Sequence, residues 1–221
     1  MGGDFAPLEI VLGSIQAVRE FKIPVVLVGD KEQILTILKN NHEENNPLIE
    51  IHHASEVIEM GEHPGLAYRK KKDASVSVGA RLVRAKECGA LVAPGSTGAA
   101  VTAGLLGIGR IKGIERPAIL TPIPNEKGRY TYLIDSGASA QPKVETYVQN
   151  AILGYIYASK VAGIKNPRIG LLNIGEEDTK GSPLVTEANK VLQNQSIIPC
   201  SGNAEGRAVA DTHLRAHETD Q

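Results

Sequence analysis

The sequence predicts an α/β protein with a largely parallel sheet covered by helices on both faces. Three observations point there. Apolar runs of strand length alternate with stretches of helical periodicity along most of the chain. The runs IPVVLV (23–28) and IGLLNI (169–174) are nearly continuously apolar, as strands buried on both faces are. Several of the loops between elements are rich in glycine and hydroxyl residues, and open parallel sheets bind ligands at the carboxyl ends of their strands.

Taken in order, residues 8–21 place Leu8, Val11, Leu12, Ile15 and Val18 on one helical face. Residues 23–28 form a strand ending at Gly29-Asp30, and 32–39 are helical again. Residues 48–51 make a short strand. Residues 65–88 make one or two helices closed by Gly89 as a C-cap. Leu91, Val92 and Ala93 form a short strand, then come PGSTG and a small-residue helix over 99–106. The runs 118–123 and 130–134 pair across a turn at 125–128. A long helix spans about 143–162, a strand 168–174 and a helix 183–192.

Composition bounds the function. With 221 residues, 42% hydrophobic and 22% charged, the chain is ordinary for a globular protein and unlike a disordered one. A net charge of −1 argues against bulk attraction to nucleic acid or anionic lipid. Only two Phe and no Trp are present, with no aromatic–basic interleaving, so no nucleic-acid partner is expected. Cys88 and Cys200 form no CxxC pair, which fits a reducing cytoplasm. There is no apolar run of about 20 residues for a membrane span, and MGGDFAP is no signal peptide.

Four loops are candidates for chemistry: Gly2-Gly3-Asp4, PGSTG (94–98), DSGAS (135–139) and NIGEEDTKG (173–181). Gly95, Ser96, Thr97 and Gly98 form the best anion cradle, because glycines admit a ligand to the backbone and the following helix offers N–H groups. The alternative is a serine-capped helix start. Lys180 is the best single catalytic candidate, placed to neutralise phosphate or an oxyanion; the alternative is a solvated turn balancing Glu176, Glu177 and Asp178. Asp135 either orients Lys180 or a hydroxyl, or caps its own turn; Asp4 is a weaker case of the same kind. Arg69, Lys70, Lys71 and Lys72 form a basic run, either a solvated helix face or a dock for an acidic partner, and Arg110 with Lys112 is a second small group. No GxSxG elbow or Walker A sequence occurs. His213 and His217 stand four apart in a polar tail and are not read as a metal site.

The loops, in this order, resemble the bacterial phosphate acyltransferase (PlsX) family. The matching stretches are MGGDFAP (1–7), HASEVIEM (53–60), RKKKDAS (69–75), PGSTGA (94–99), GRIKGIERPAI (109–119), DSGAS (135–139), YASKVAGIKNPRIGLLNIGEEDTKG (157–181) and GNAEGR (202–207). The resemblance implies a three-layer α/β/α sandwich similar to phosphotransacetylases and isopropylmalate dehydrogenases. It implies transfer of a long-chain acyl group from acyl-[acyl carrier protein] to inorganic phosphate for phospholipid synthesis. No cofactor and no metal are called for; a homodimer with peripheral membrane association is. Lys180 matches the family's K-G lysine, residues 95–98 its G-N-T-G loop, and Asp135, Gly137 and Ala138 its D-x-G-A-N loop. Ser96 and Ser139 stand where that family usually has Asn.

The expectation is therefore one incomplete α/β domain over 1–207, followed by an atypical polar tail over 208–221. The resembled family has an apolar strand before MGGD and continues past GNAEGR. On this reading the GSTG amides and the Lys180 ammonium converge on one anion. The rivals are a small-acyl phosphotransacetylase using coenzyme A, or an inactive fragment that only binds; a dehydrogenase reading has fold analogy alone behind it.

Overall fold

In the first unit, helix α1 (Leu8–Phe21) turns Val11, Ile15 and Val18 inward, while Leu8, in its first turn, stays half exposed. The architecture is that of a computed structural model, which describes residues 1–125, 128–139 and 141–206. It divides the chain into two compact units, Met1–Gly113 and Ile114–Gln221, each taken here by itself. The tail 208–221, with His213 and His217, lies outside the described residues.

Strand β1 (Val25–Gly29) follows α1 and leads into Asp30, whose carboxylate accepts the Gln33 N–H at 2.9 Å and so starts α2 (Lys31–Asn40). Strand β2 (Ile49–His53) returns parallel to β1, Leu27 opposite Ile51 and Gly29 opposite His53. Val11, Ile15, Leu27, Ile34, Ile37 and Leu38 form the core of this β-α-β unit. Parallel pairing requires such a crossover, and α2 supplies it.

Two short helices follow, α3 (Pro64–Lys70) and α4 (Ser75–Arg84). Gly89 is not the cap expected for α4. The N–H groups of Lys86, Glu87 and Cys88 already satisfy the carbonyls of Val83 and Leu82, with Lys86 left-handed at φ 64°. Residues 91–93 form no strand either. Leu91 packs into a second core with Ile58, Tyr68 and Ala80, but Val92 is 86% exposed and has no partner strand among the described residues. Helix α5 (Thr97–Thr102) continues as a π-helical turn over Ala103–Ile108. Gly107 there abuts the Tyr68 hydroxyl and the Ala80 methyl so closely that any side chain would displace them.

In the second unit, β3 (Leu120–Pro124) and β4 (Tyr130–Ile134) pair antiparallel as expected, Leu120 opposite Ile134. The turn is closed by the Gly128 N–H on the Asn125 carbonyl, with Gly128 at φ 68°. Helix α6 (Val144–Lys160) leads to β5 (Ile169–Asn173), α7 (Pro183–Asn194) and β6 (Cys200–Glu205). Ser182 caps α7 and Pro183 sits in its first turn. Strand β6 runs parallel to β5, Ile169 opposite Cys200 and Asn173 opposite Glu205. Its sequence, CSGNAE, has little intrinsic strand preference, so pairing with β5 decides its conformation. Ala151, Leu171, Ala188, Leu192 and Ile198 form the core here.

The α/β class thus holds, with two of the three ladders among the described residues parallel. Burial on both faces of β5 does not hold among the described residues: Leu171 is buried, but Leu172 is 47% and Ile174 82% exposed. Among the described residues no helix is long and apolar enough to cross a membrane.

Candidate phosphate-binding and catalytic loops

The first unit brings two of the predicted loops side by side. Gly3 has φ 144°, and a Cβ on it would lie 2.7 Å from the Pro94 carbonyl oxygen. A Cβ on Gly95 would lie 2.6 Å from the Gly2 carbonyl oxygen. Only glycines let these two backbones, far apart in sequence, approach so closely. Asp4 beside them is exposed.

Ser96 opens α5. Its hydroxyl accepts the Ala99 N–H at 3.3 Å, and its carbonyl accepts the Ala100 N–H at 3.0 Å. Of the two sequence alternatives for this loop, the geometry displays the serine-capped helix start. The first N–H groups of a helix have no intrahelical acceptor; Ser96 satisfies that of Ala99, while those of Thr97 and Gly98 remain at the helix's positive end. Thr97 is exposed. Gly98 packs on the ring of Pro64, which fixes the start of α5 against the start of α3.

The basic run is divided by its surroundings. Lys71 is committed: its ammonium lies 2.6 Å from Glu62 and 2.7 Å from the Val57 carbonyl oxygen. The Lys71 hydrogen bond, followed by the Glu59 N–H, holds the Glu62 carboxyl below its usual range. Lys72 stands 5.9 Å from the Tyr68 ring centroid. Arg69, Lys70 and Lys72 are exposed. Nearby, Ser55 donates both its hydroxyl and its N–H to Asp73, and His53 Nδ1 accepts the Lys31 N–H; these contacts are turn and cap bonds, with no nucleophile–base pair among them.

In the second unit Asp135 organises its own loop. Oδ1 accepts the N–H groups of Ile119, Gly137 and Ala138 at 3.0, 3.2 and 2.9 Å, and Oδ2 accepts that of Ser139 at 2.9 Å. Burial pushes its carboxyl upward, but the four N–H donors together outweigh it and hold the group below its usual range. Of the two sequence alternatives for Asp135, this geometry displays the turn cap. Ser136 is tied to the same hairpin through Thr121 Oγ1 at 2.6 Å and the Ile119 carbonyl.

Lys180 sits in the turn after β5. Its side chain is 49% exposed, with the ammonium 3.9 Å from Glu177, and its N–H donates to the Glu177 carbonyl at 3.0 Å. Four amide side chains surround this turn. Asn173 donates to the Lys180 carbonyl at 2.7 Å and accepts the Ile174 N–H at 2.8 Å. Asn203 donates to the Glu177 carbonyl at 2.8 Å. Asn189 and Gln193 both donate to one oxygen of Asp178 at 3.0 Å. Gly181, at φ 97°, has no room for a Cβ, which would lie 2.6 Å from Asn173 Oδ1. The glycine following Lys180 is thus explained by the amide that holds the lysine's own carbonyl.

Sequence reasoning missed Asn173, Asn189, Gln193 and Asn203. One signal was available: Val185, Ala188 and Leu192 mark the inward face of the 183–192 helix, and Asn189 interrupts it. Among the described residues no cluster of His, Cys, Asp and Glu is arranged to hold a metal.

With this geometry in hand, a family model described as "Fatty acid synthesis protein" matches residues 1–216. The phosphate acyltransferase of Desulfitobacterium hafniense (strain Y51) is 49% identical over 209 residues, covering 95% of this chain and 61% of that protein. That of Pelotomaculum thermopropionicum is 48% identical over 207 residues, covering 94% and 59%. That of Aquifex aeolicus (strain VF5) is 46% identical over 209 residues, covering 95% and 61%. The chain spans about 61% of the length of such curated relatives. A solved branched-chain phosphotransacylase from Enterococcus faecalis V583 is 16% identical with a TM-score of 0.49, covering 90% of this chain and 75% of that one. Matched over nearly its whole length, and carrying the glycine, serine and lysine loops that pointed to the phosphate acyltransferases, the chain belongs to this fatty acid synthesis protein family.

Proposed function

We propose that the protein transfers a long-chain acyl group from acyl-[acyl carrier protein] to inorganic phosphate, yielding acyl phosphate for phospholipid synthesis. The observation that carries this is the 94–98 loop, where Ser96 caps α5 through the Ala99 N–H and leaves those of Thr97 and Gly98 without an acceptor inside the helix. Relatives named phosphate acyltransferase support the reading.

For the first unit the proposed role of Gly95, Ser96, Thr97 and Gly98 is to bind phosphate; for the second, that of Lys180 is to stabilise negative charge on a thioester oxygen. A phosphate oxygen attacks the carbonyl carbon, the carbon–sulfur bond breaks, and the thiolate leaves with the carrier and takes a proton from solvent. No covalent enzyme intermediate, cofactor or metal is involved. Asp135, its carboxylate saturated by four N–H groups, acts by shaping the 136–139 turn. The acidic carrier docks on Arg69, Lys70 and Lys72, with Lys71 holding the end of α3 against Glu62. The same proposal places the protein in the cytoplasm as a homodimer, peripherally associated with the membrane.

The test offers palmitoyl-[acyl carrier protein] or acetyl-coenzyme A with phosphate, and traps acyl phosphate as its hydroxamate. Product from the palmitoyl donor alone is expected, and Lys180→Ala lowers turnover on the order of 10²–10³, as removal of an oxyanion donor does. Acyl phosphate from acetyl-coenzyme A instead, or from neither donor, ends the proposal. A Lys180→Ala protein within about tenfold of the parent removes Lys180 from it. A double-mutant cycle of Thr97→Ala and Lys180→Ala reads out whether the two loops act in one step.

A further inference from the structure

We infer that Asp178 is the positioning residue of the Lys180 turn, fastened by Asn189 and Gln193 of α7; this rests on the role of Lys180 proposed above. The three acidic residues before Lys180 look equivalent in sequence, yet their surroundings differ. Glu177 meets the ammonium only at 3.9 Å, with both side chains substantially exposed. Asp178 instead turns to α7, where one oxygen accepts both Asn189 Nδ2 and Gln193 Nε2 at 3.0 Å. Those donors stand four residues apart, one helical turn, so a single carboxylate reaches both. Hydrogen bonds to a charged acceptor are the stronger kind, which makes this the firmest tether on the turn.

Two further tethers come from the neighbouring strands. Asn203 of β6 holds the Glu177 carbonyl and Asn173 of β5 holds the Lys180 carbonyl. The aliphatic stem of Lys180 lies over Gly175, where an added Cβ would sit 2.9 Å from its Cγ. The main chain around Lys180 is thereby fixed from α7, β5 and β6, while the ammonium stays accessible. A lysine whose only task was to balance surface carboxylates would need none of this.

Asn189 shows that the arrangement does not serve stability alone. It is 1% exposed, and its Oδ1 has no hydrogen-bond partner among the described residues. An unsatisfied buried acceptor is destabilising, and an apolar residue of similar volume would remove that cost. What the amide contributes is its bond to Asp178.

The experiment uses the full 221-residue chain with Asp178→Ala, Asp178→Asn, Gln193→Met and Asn189→Leu. Hydrogen exchange of the 174–181 segment, thermal midpoint, and kcat and KM for acyl phosphate formation are measured on each. Asp178→Ala and Gln193→Met are expected to speed exchange of the segment about tenfold or more and to lower kcat by a similar factor, with the donor KM unchanged. Asp178→Asn keeps an acceptor oxygen and recovers to within about threefold of the parent. Asn189→Leu keeps or raises the thermal midpoint while losing turnover, an outcome that a merely structural residue does not produce. Asp178→Asn as impaired as Asp178→Ala, unchanged exchange in Asp178→Ala, or activity falling only in step with the midpoint overturns the inference. Exchange needs no activity, so it decides the tether even if acyl transfer by this chain fails its own test.

Discussion

Gly181→Ala puts a number on the fit between the turn and Asn173. Two separate costs follow from the structure. Alanine at φ 97° takes a left-handed conformation, worth about 1–2 kcal/mol. Its Cβ would also lie 2.6 Å from Asn173 Oδ1 and 2.9 Å from Nδ2, so the amide must move. That movement forfeits the bonds to the Lys180 carbonyl and the Ile174 N–H, each worth about 0.5–1.5 kcal/mol. The whole effect is about 2–5 kcal/mol. Gly163→Ala is the internal control, because Gly163 has φ 71° with nothing within 4 Å of its added Cβ, leaving only the conformational part. Both residues lie in the Ile114–Gln221 unit. Five of the six tyrosines, all but Tyr68, lie there too and the chain has no Trp, so urea unfolding followed by tyrosine fluorescence reports on that unit. Gly181→Ala is expected to exceed Gly163→Ala by about 1–3 kcal/mol and to speed exchange over 173–181. Equal destabilisation of the two variants refutes the reasoning, since the contact with Asn173 would then carry no energy.

Other expectations are simpler. The Asp135 carboxyl is lowered on folding from its ordinary 3.8, so its stabilising effect is complete above that value and is lost as pH falls through the lower folded value. Asp135→Ala should flatten the acid limb of the second unit's stability curve, and a limb identical to the parent's would contradict this. Ser96→Ala should cost the first unit about 1 kcal/mol, whereas Ser96→Asn should be nearly neutral because both residues cap helices equally well. Thermal unfolding of the two variants checks this, and it would account for serine standing where the resembled family usually has Asn. The double charge reversal Arg69→Glu, Lys70→Glu should raise the KM for an acyl carrier protein donor several-fold at low salt and less at high salt. Lys71→Ala should instead lower stability with little change in that KM, because Lys71 is held by Glu62 and Val57.

Much of this protein is written in local patterns. The helices α1, α2 and α7, the β-α-β crossover over residues 25–53, and the hairpin at 120–134 all follow from periodicity and turn residues, which act over a few neighbours. Glycine-rich loops and Lys180 were also visible, because residue type alone signals backbone approach or positive charge. What only the tertiary structure decided depends on partners distant in the chain. Residues 91–93 have strand composition but no strand to pair with among the described residues, while CSGNAE becomes β6 because β5 lies beside it. Gly3 and Gly95 are small because each lies against the other's loop, Gly3 on Pro94 and Gly95 on Gly2. Lys71 differs from Lys70 through Glu62 and Val57, and Asp178 differs from Glu177 through two amides on α7. A pattern of residue types carries propensity and burial, but the assignment of each polar group to its partner is settled only when folding sets their distances and removes the competing water.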